Sequence, residues 1–267
     1  MSVAVQQSRA ATAPIYGLSD GSALMSSETN GSSAVLYEKR GPVAWVTLNR
    51  PAQFNAYNMA MRDALFQILA AIHDDRDVRA MVLRGAGQAF STGGDLAEFG
   101  MAPSPIVARW VRFRRDVWGM LRALPIPTIA AIHGYTVGGG LEMALLCDFA
   151  IAADDTRLSL PETGAGMIPG VAGTQTAARR LGLGRALDLC LTGRWIDAQD
   201  ALLVGMVAEV VPLADLDRRA LTIARAFARV SRERSAILKL AVWGGLDLPL
   251  RQGLELEHRL WKRGSAL

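Results

Sequence analysis

The chain has 267 residues, of which 51% are hydrophobic and 26 are glycine, enough for one large globular domain or a domain with an appendage. Its formal net charge of +4 is mild for this length. No dense run of Lys and Arg is interleaved with aromatic residues, so we expect no nucleic-acid partner. No apolar run reaches the roughly 18 residues of a membrane-spanning helix, so we expect no membrane insertion.

Residues 1–33 are rich in Ser, Ala, Thr and Gly and contain no long apolar core of the signal-peptide kind. This composition predicts a flexible N-terminal extension. Asp20, Glu28 and the scarcity of Arg argue against a transit peptide. A cytoplasmic location is therefore expected.

Short runs of β-branched and apolar residues bounded by turn residues predict the strands. The first two are joined by a Lys-Arg-Gly-Pro turn and form a predicted hairpin. The glycine-rich segment 85–94 is predicted to be a loop. The predicted strands cover residues 34–38, 43–48, 80–83, 128–133 and 206–211.

Apolar residues that recur at helical spacing predict the helices. One of these is marked by Trp110, Phe113, Val117, Met120 and Leu121 and ends before Pro125. The other predicted helices cover residues 58–73, 141–147, 174–181, 184–191, 197–204, 216–227 and about 233–243.

The alternation of strands and helices predicts an α/β architecture with buried strands. From about residue 212 the pattern is helical only. We therefore divide the chain into the extension 1–33, an α/β core 34–211 that holds the active site, and a helical region 212–267.

The stretch from Pro127 to Glu162 organises the chain. Its strand 128–133 is followed by the glycines 138–140 and then at once by a helical run. A helix start of this kind presents free backbone N–H groups and the positive end of the helix dipole. Glu142 lies in the first turn of that helix, and Glu162 supplies a second carboxylate further on. Two carboxylates beside such a turn indicate acid–base chemistry on a substrate that develops negative charge.

Four segments carry a resemblance to a known family. They read LNRPAQFNA (48–56), AFSTGGDL (89–96), HGYTVGGGLEMALLCD (133–148) and LPETGAGMIPGVAGTQ (160–175). In this order they resemble the enoyl-CoA hydratase/isomerase family, also called crotonases, over about residues 34–262. The resemblance implies a spiral of ββα turns followed by C-terminal helices that assemble trimers. It also implies an acyl-CoA thioester substrate and no cofactor besides the CoA of that substrate.

The resemblance implies roles for particular residues. The backbone N–H groups of Gly94 and Gly139 would hold the thioester oxygen as it becomes enolate-like. Glu142 and Glu162 match the two glutamates of the hydratases: Glu142 would take a proton from water, and Glu162 would protonate the α-carbon. The segments expected to line the substrate contribute Gln53, Asn55, Ala56, Thr92, Asp95, Leu96, Tyr135, Gly138, Pro161 and Gly170.

Several residues have simpler interpretations. Asp95 is expected to fix its own loop, and His133 is expected to be structural. Arg109, Arg112 and Arg115 share one helix face, for which solvation is a better explanation than phosphate binding. Cys147 and Cys190 lie in apolar helical patterns, where core packing is expected rather than a disulfide. The three histidines lack the spacing of metal ligands, so no metal is expected.

Three functions stay open at this point. Hydration of a 2-enoyl-CoA is favoured because both glutamates are present. Isomerisation of a 3-enoyl-CoA to a 2-enoyl-CoA needs only one of them. A non-catalytic acyl-CoA-binding or RNA-binding scaffold of the same fold is the third, because the family's final helix is expected to be absent. The resemblance, together with apolar residues such as Trp243 and Leu246 that look exposed, implies a homotrimer or homohexamer.

Overall fold

In the computed structural model the described residues are 33–104, 106–107 and 114–264. From Ser33 onward the chain forms one compact unit. The predicted extension falls almost entirely outside the described residues, as do Arg109, Trp110, Arg112 and Phe113. The proposed boundary near residue 212 stays a prediction.

In the described part of the chain, ten strands form two sheets. They are β1 (Val35–Arg40), β2 (Val43–Leu48), β3 (Ala80–Gly85), β4 (Ala89–Ser91), β5 (Thr128–Ile132), β6 (Tyr135–Val137), β7 (Phe149–Ala153), β8 (Arg157–Ser159), β9 (Ile196–Asp197) and β10 (Glu209–Val211). The larger sheet has the order β1-β2-β3-β5-β7-β10, and the smaller one has the order β4-β6-β8-β9. Antiparallel pairing occurs between β1 and β2 and between β8 and β9, and all other pairs are parallel.

The described helices are α1 (Met59–Asp74), α2 (Val117–Ala123), α3 (Gly139–Leu146), α4 (Gly173–Leu181), α5 (Leu183–Thr192), α6 (Ala198–Leu203), α7 (Leu216–Phe227), α8 (Arg232–Gly245) and α9 (Leu250–Gly264). Up to α8 they follow the predicted order, and α9 was not predicted. Each of β3, β5 and β7 is followed by a short strand of the smaller sheet and then by helical structure. This repeated ββα unit is the predicted mixed α/β spiral, and helices close the described chain.

The inner strands of the larger sheet are buried on both faces. Residues along β2 alternate between two apolar clusters. Ala44, Val46 and Leu48 pack with α1 and α3, whereas Val43 and Trp45 pack with α7 on the other face. β5 is buried along its whole length. This explains why its sequence is uninterrupted by charge. The edge of this layered core carries the turns that lead into the candidate site.

The structure corrects some predicted boundaries. The segment 85–94 is not only a loop, since it contains β4, whose three residues are too few to give a periodic signal. The predicted strand 206–211 is shortened to β10, because the Met206 N–H donates to the Ala201 carbonyl and ties this residue to α6. α3 begins at Gly139, two residues before the predicted start.

Among the described residues, no helix is both long and apolar enough to cross a membrane.

Candidate active site

Two glycine turns meet at the start of α3. Gly93 and Gly138 both have positive φ angles, of 88° and 52°, which glycine adopts at no steric cost. A Cβ on Gly93 would lie only 2.9 Å from the Gly139 nitrogen, and a Cβ on Gly139 would lie 3.7 Å from the Gly94 nitrogen. Only glycine at position 93 lets the two backbones approach so closely. The two predicted oxyanion donors, Gly94 and Gly139, are therefore neighbours.

The N–H groups of these two donors are not used by the fold. Gly94 pairs with Tyr57 in an isolated bridge, but the bonds of that bridge run from the Tyr57 N–H to Gly93 and from the Asp95 N–H to Tyr57. Within the described ranges, neither the Gly94 nor the Gly139 N–H donates a hydrogen bond. Gly139 lies at the first position of α3, where a helix leaves its N–H groups free. The pair is available to a ligand oxygen.

Glu142 is buried, with a relative exposure of 2%, in the first turn of α3. Its Oε1 atom accepts three backbone N–H groups, from Val171 and Ala172 at 2.9 Å each and from Gly173 at 2.7 Å. The three donors belong to the turn that begins α4. Among the described residues, Oε2 makes no hydrogen bond, so one oxygen is fixed and the other is available to a substrate or water.

Glu162 lies in a different environment, shortly after the end of β8. It opens a short 3₁₀ turn, Glu162–Ala165, and its Oε1 atom lies 2.8 Å from where a Cβ on Gly138 would be. Its Oε2 atom is buried without a hydrogen-bond partner in the described part of the chain. Burial raises the pKa of Glu162, a backbone hydrogen bond at Glu162 itself partly opposes this, and the negative charge of Glu142 raises the pKa further.

The two carboxylates therefore form an unequal pair beside the two free N–H groups. One is held by three donors, and the other is desolvated and stays protonated to higher pH than an ordinary glutamate. Enzymes make one carboxyl group the acid and its neighbour the base by placing the two in different environments.

Asn55 and Asp95 have clear internal roles. Asn55 is fully buried with a positive φ of 55°; its side chain accepts the Arg50 N–H and donates to the carbonyls of Ala86 and Ala89. Asp95 forms an ion pair with Arg50 at 2.8 Å and caps the 3₁₀ turn Leu96–Glu98 through the Ala97 N–H. Asp95 fixes its loop, as the sequence analysis expected. Backbone contacts of Asn55 with CoA stay a prediction.

The other residues predicted to line the substrate lie around the same turns. Thr92 and Ala56 are half-buried in the segments that flank Gly94, and Leu96 is 73% exposed. Tyr135 is 47% exposed at the start of β6. Of the remaining four, Gly138 is buried, whereas Gln53, Pro161 and Gly170 are exposed.

Tyr135 lies between two other aromatic rings. Its centroid is 6.2 Å from that of Phe54 and 6.0 Å from that of Trp195, in edge-on geometry. These rings extend an exposed aromatic surface from the segment that flanks Asn55.

Sequence reasoning missed three contributors to this site. Arg50 holds both the Ala56 carbonyl and Asp95. The N–H groups of residues 171–173 hold Glu142, and Phe99 lies against Gly94. The only sequence signal for the second of these was the glycine- and proline-rich run IPGVAG, which is typical of a turn.

The residues with simpler interpretations have structural contacts. The His133 ring contacts the Gly87 carbonyl through Nε2 at 3.0 Å. Arg115 pairs with Asp63 at 2.7 Å, and no group of three or more metal-binding side chains occurs in the described part of the chain. Cys147 is buried, and both it and Cys190 are free thiols.

Comparison with known proteins identifies the family. The profile described as "Enoyl-CoA hydratase/isomerase" matches residues 38–265. A probable enoyl-CoA hydratase of Mycobacterium tuberculosis is 37% identical over 232 residues, which cover 87% of this chain and 90% of the relative.

Solved structures give the same result. An enoyl-CoA hydratase of Bacillus anthracis has a TM-score of 0.81 and 36% identity, covering 86% of this chain and 90% of its own. A further hydratase structure from Thermobifida fusca, described as a complex with CoA, has a TM-score of 0.80 and 30% identity over 88% of this chain and 93% of its own. The fold is the crotonase fold, and the chain belongs to the enoyl-CoA hydratase/isomerase family.

Proposed function

We propose that this protein is an enoyl-CoA hydratase, which adds water across the 2,3-double bond of a 2-enoyl-CoA thioester to give a 3-hydroxyacyl-CoA. The observation that carries the proposal is the unequal pair of Glu142 and Glu162 beside the free N–H groups of Gly94 and Gly139. A cytoplasmic location remains part of the proposal.

Each half of the reaction uses one glutamate. A water molecule lies between the two carboxyl groups. The available oxygen of Glu142 takes a proton from this water, and the water oxygen bonds to the β-carbon. The electron pair of the double bond moves toward the thioester oxygen, and the protonated Glu162 gives its proton to the α-carbon. Because one glutamate gains a proton and the other loses one, the pair returns to its starting state by proton exchange with solvent or with each other.

Gly94 and Gly139 stabilise the charge that develops on the thioester oxygen. Their N–H groups are fixed before the substrate arrives, so little free energy is spent on orienting them during the reaction. One donor of this kind typically lowers the barrier by about 3 kcal/mol in other enzymes. The three N–H donors on Glu142 Oε1 serve a related purpose, since they fix the base without occupying its other oxygen.

Isomerisation is the second candidate function. A single glutamate could shuttle a proton between two carbons of a 3-enoyl-CoA, and the same oxyanion donors would serve. The raised pKa of Glu162 suits such a shuttle as well. Hydration is favoured because the second carboxylate, Glu142, is rigidly placed, which a one-base shuttle does not require.

The assembly of the protein also belongs to the proposal. Large apolar side chains are exposed on the helices that close the described chain, including Leu238 at 59%, Val242 at 62%, Leu246 at 56% and Leu254 at 55%. Such a surface supports a homotrimer or homohexamer. Trp243 contributes less than expected, since it is half-buried and donates to Asp148.

A panel of enoyl-CoA substrates with identification of the products tests the proposal. Conversion of crotonyl-CoA to 3-hydroxybutanoyl-CoA supports hydration. Conversion of a 3-enoyl-CoA alone would replace it with isomerisation, and binding of acyl-CoA without turnover of any member would leave only a scaffold.

A further inference from the structure

The ring of Phe99 lies against Gly94. A Cβ on Gly94 would lie 3.0 Å from the Cζ atom of Phe99 and 3.2 Å from its Cε1 atom. Because a carbon–carbon single bond is about 1.5 Å long, the ring edge lies within about 4.5 Å of the Gly94 Cα. The ring therefore fills the space that a side chain at position 94 would need.

The turn that carries Phe99 is fixed at two points to other parts of the protein. At its start, Asp95 pairs with Arg50. Within it, the carboxylate of Glu98 accepts the Met59 N–H at the beginning of α1, at 3.0 and 3.2 Å, and the Phe99 N–H donates to Leu96. The ring is thus held beside Gly94 by a turn that is anchored on two sides.

The surroundings of Phe99 are apolar and accessible. Phe99 is 53% exposed, and Leu96 and Met101 in the same short segment are 73% and 75% exposed. A concentration of exposed apolar side chains beside a site indicates an apolar ligand group. Of the three parts of an acyl-CoA, the acyl group fits this surface better than the polar pantetheine or the charged nucleotide.

We infer that Phe99 determines specificity by limiting substitution at the α-carbon of the acyl group. This inference rests on the proposed function, in which the thioester oxygen is held by the Gly94 N–H. The carbonyl carbon behind that oxygen is bonded to the α-carbon on one side and to the thioester sulfur on the other. The apolar surroundings of Phe99 assign the ring to the side of the α-carbon. The substrate class is therefore 2-enoyl-CoA thioesters without a branch on the α-carbon.

The test compares crotonyl-CoA with its 2-methyl derivative in wild type, Phe99→Ala, Phe99→Leu and the control Leu203→Ala. A pocket that discriminates against one added methyl group does so by about 10- to 200-fold. We expect Phe99→Ala to raise the ratio of kcat/KM for the methylated over the unbranched substrate by about tenfold or more, and Phe99→Leu to raise it less. Leu203→Ala, at an exposed position at the end of α6 and outside this surface, should leave the ratio unchanged. An unchanged ratio in Phe99→Ala that still hydrates crotonyl-CoA overturns the inference.

A binding measurement separates this inference from the proposed function. Calorimetry with butanoyl-CoA and 2-methylbutanoyl-CoA needs no turnover. We expect wild type to bind the unbranched ligand more tightly and Phe99→Ala to reduce that difference. If wild type binds both ligands but hydrates no enoyl-CoA, the hydratase proposal fails while the Kd ratio still decides the role of Phe99. If neither ligand binds, both proposals fail.

Discussion

The negative charge of Glu142 raises the pKa of Glu162, in addition to the larger effect of burial. The Glu142 carboxylate therefore lies close enough to Glu162 to act on its protonation. Only Glu142 has its carboxylate oxygen held by a turn of backbone N–H groups. This inequality has consequences that can be measured.

The first consequence concerns the pH dependence of hydration. Glu162 must be protonated to act as the acid, and its raised pKa keeps it protonated above its ordinary value of 4.5. Activity is therefore lost as pH rises through the raised pKa, and kcat/KM for crotonyl-CoA should fall on the alkaline side. A pH–rate profile of wild type checks this. The same alkaline fall in the residual activity of Glu162→Gln would show that another group is responsible.

Replacement of either glutamate by glutamine should abolish most of the activity. An amide keeps the shape of the side chain but cannot exchange a proton, and general acid–base groups contribute about 100- to 10,000-fold. We expect kcat to fall by this factor in Glu142→Gln and in Glu162→Gln, with acyl-CoA binding retained. Glu257→Gln, at an exposed position on α9, is the control. Two variants within about threefold of wild type would disprove the two-glutamate mechanism, given that expected scale.

Much of the site could be predicted from the sequence because it is encoded in short contiguous segments. The glycine turn and the helix start place Gly139 and Glu142 within four residues of each other. The hydrogen bonds from the N–H groups of residues 171–173 to Glu142 could not be predicted in this way. It joins residues about 30 positions apart and depends on the path of an irregular turn, which has no periodicity.

The contact between Phe99 and Gly94 was not predictable for a different reason. A single phenylalanine in an irregular segment has no periodic pattern that distinguishes it from an isolated exposed apolar residue. Likewise, the internal hydrogen bonds of the fully buried Asn55 side chain could not be predicted, because asparagine is common in exposed turns as well. The helix order was predictable from spacing, whereas the three-residue strand β4 was too short to be recognised.

Gly138 should be needed for the position of Glu162. Its φ of 52° disfavours any other residue, and a Cβ there would lie 2.8 Å from Glu162 Oε1. Gly138→Ala should displace that carboxylate and lower kcat in addition to destabilising the fold. Gly182→Ala is a matched control, since its φ of 78° imposes similar strain but nothing lies within 4 Å. Kinetics and thermal unfolding of both variants measure this. An equal loss of kcat in the two variants would contradict a specific role for Gly138.

Arg232 should be important for stability rather than for catalysis. Arg232 is buried, at 4% exposure, and its guanidinium donates to four backbone carbonyls. These belong to Ile72 and His73 in the last turn of α1 and to Asp75 and Val78 just after it. Removing it leaves these carbonyls without their charged donor, so we expect Arg232→Ala to lower the free energy of unfolding by about 3 kcal/mol. Urea unfolding measures this, with the exposed Arg229→Ala as control. A loss equal to that of the control would contradict this role.

The central claim is that Glu142 and Glu162 direct water, rather than only a proton, to the substrate. The most direct measurement compares two rates at matched chain length and low substrate in oxygen-labelled water: hydration of a 2-enoyl-CoA and isomerisation of a 3-enoyl-CoA. The ratio of kcat/KM values reports relative stabilisation of the two transition states. We predict faster hydration, with the label in the 3-hydroxyl group of the product. Faster isomerisation with no label incorporated would contradict the account and would reduce one of the two glutamates to a positioning role.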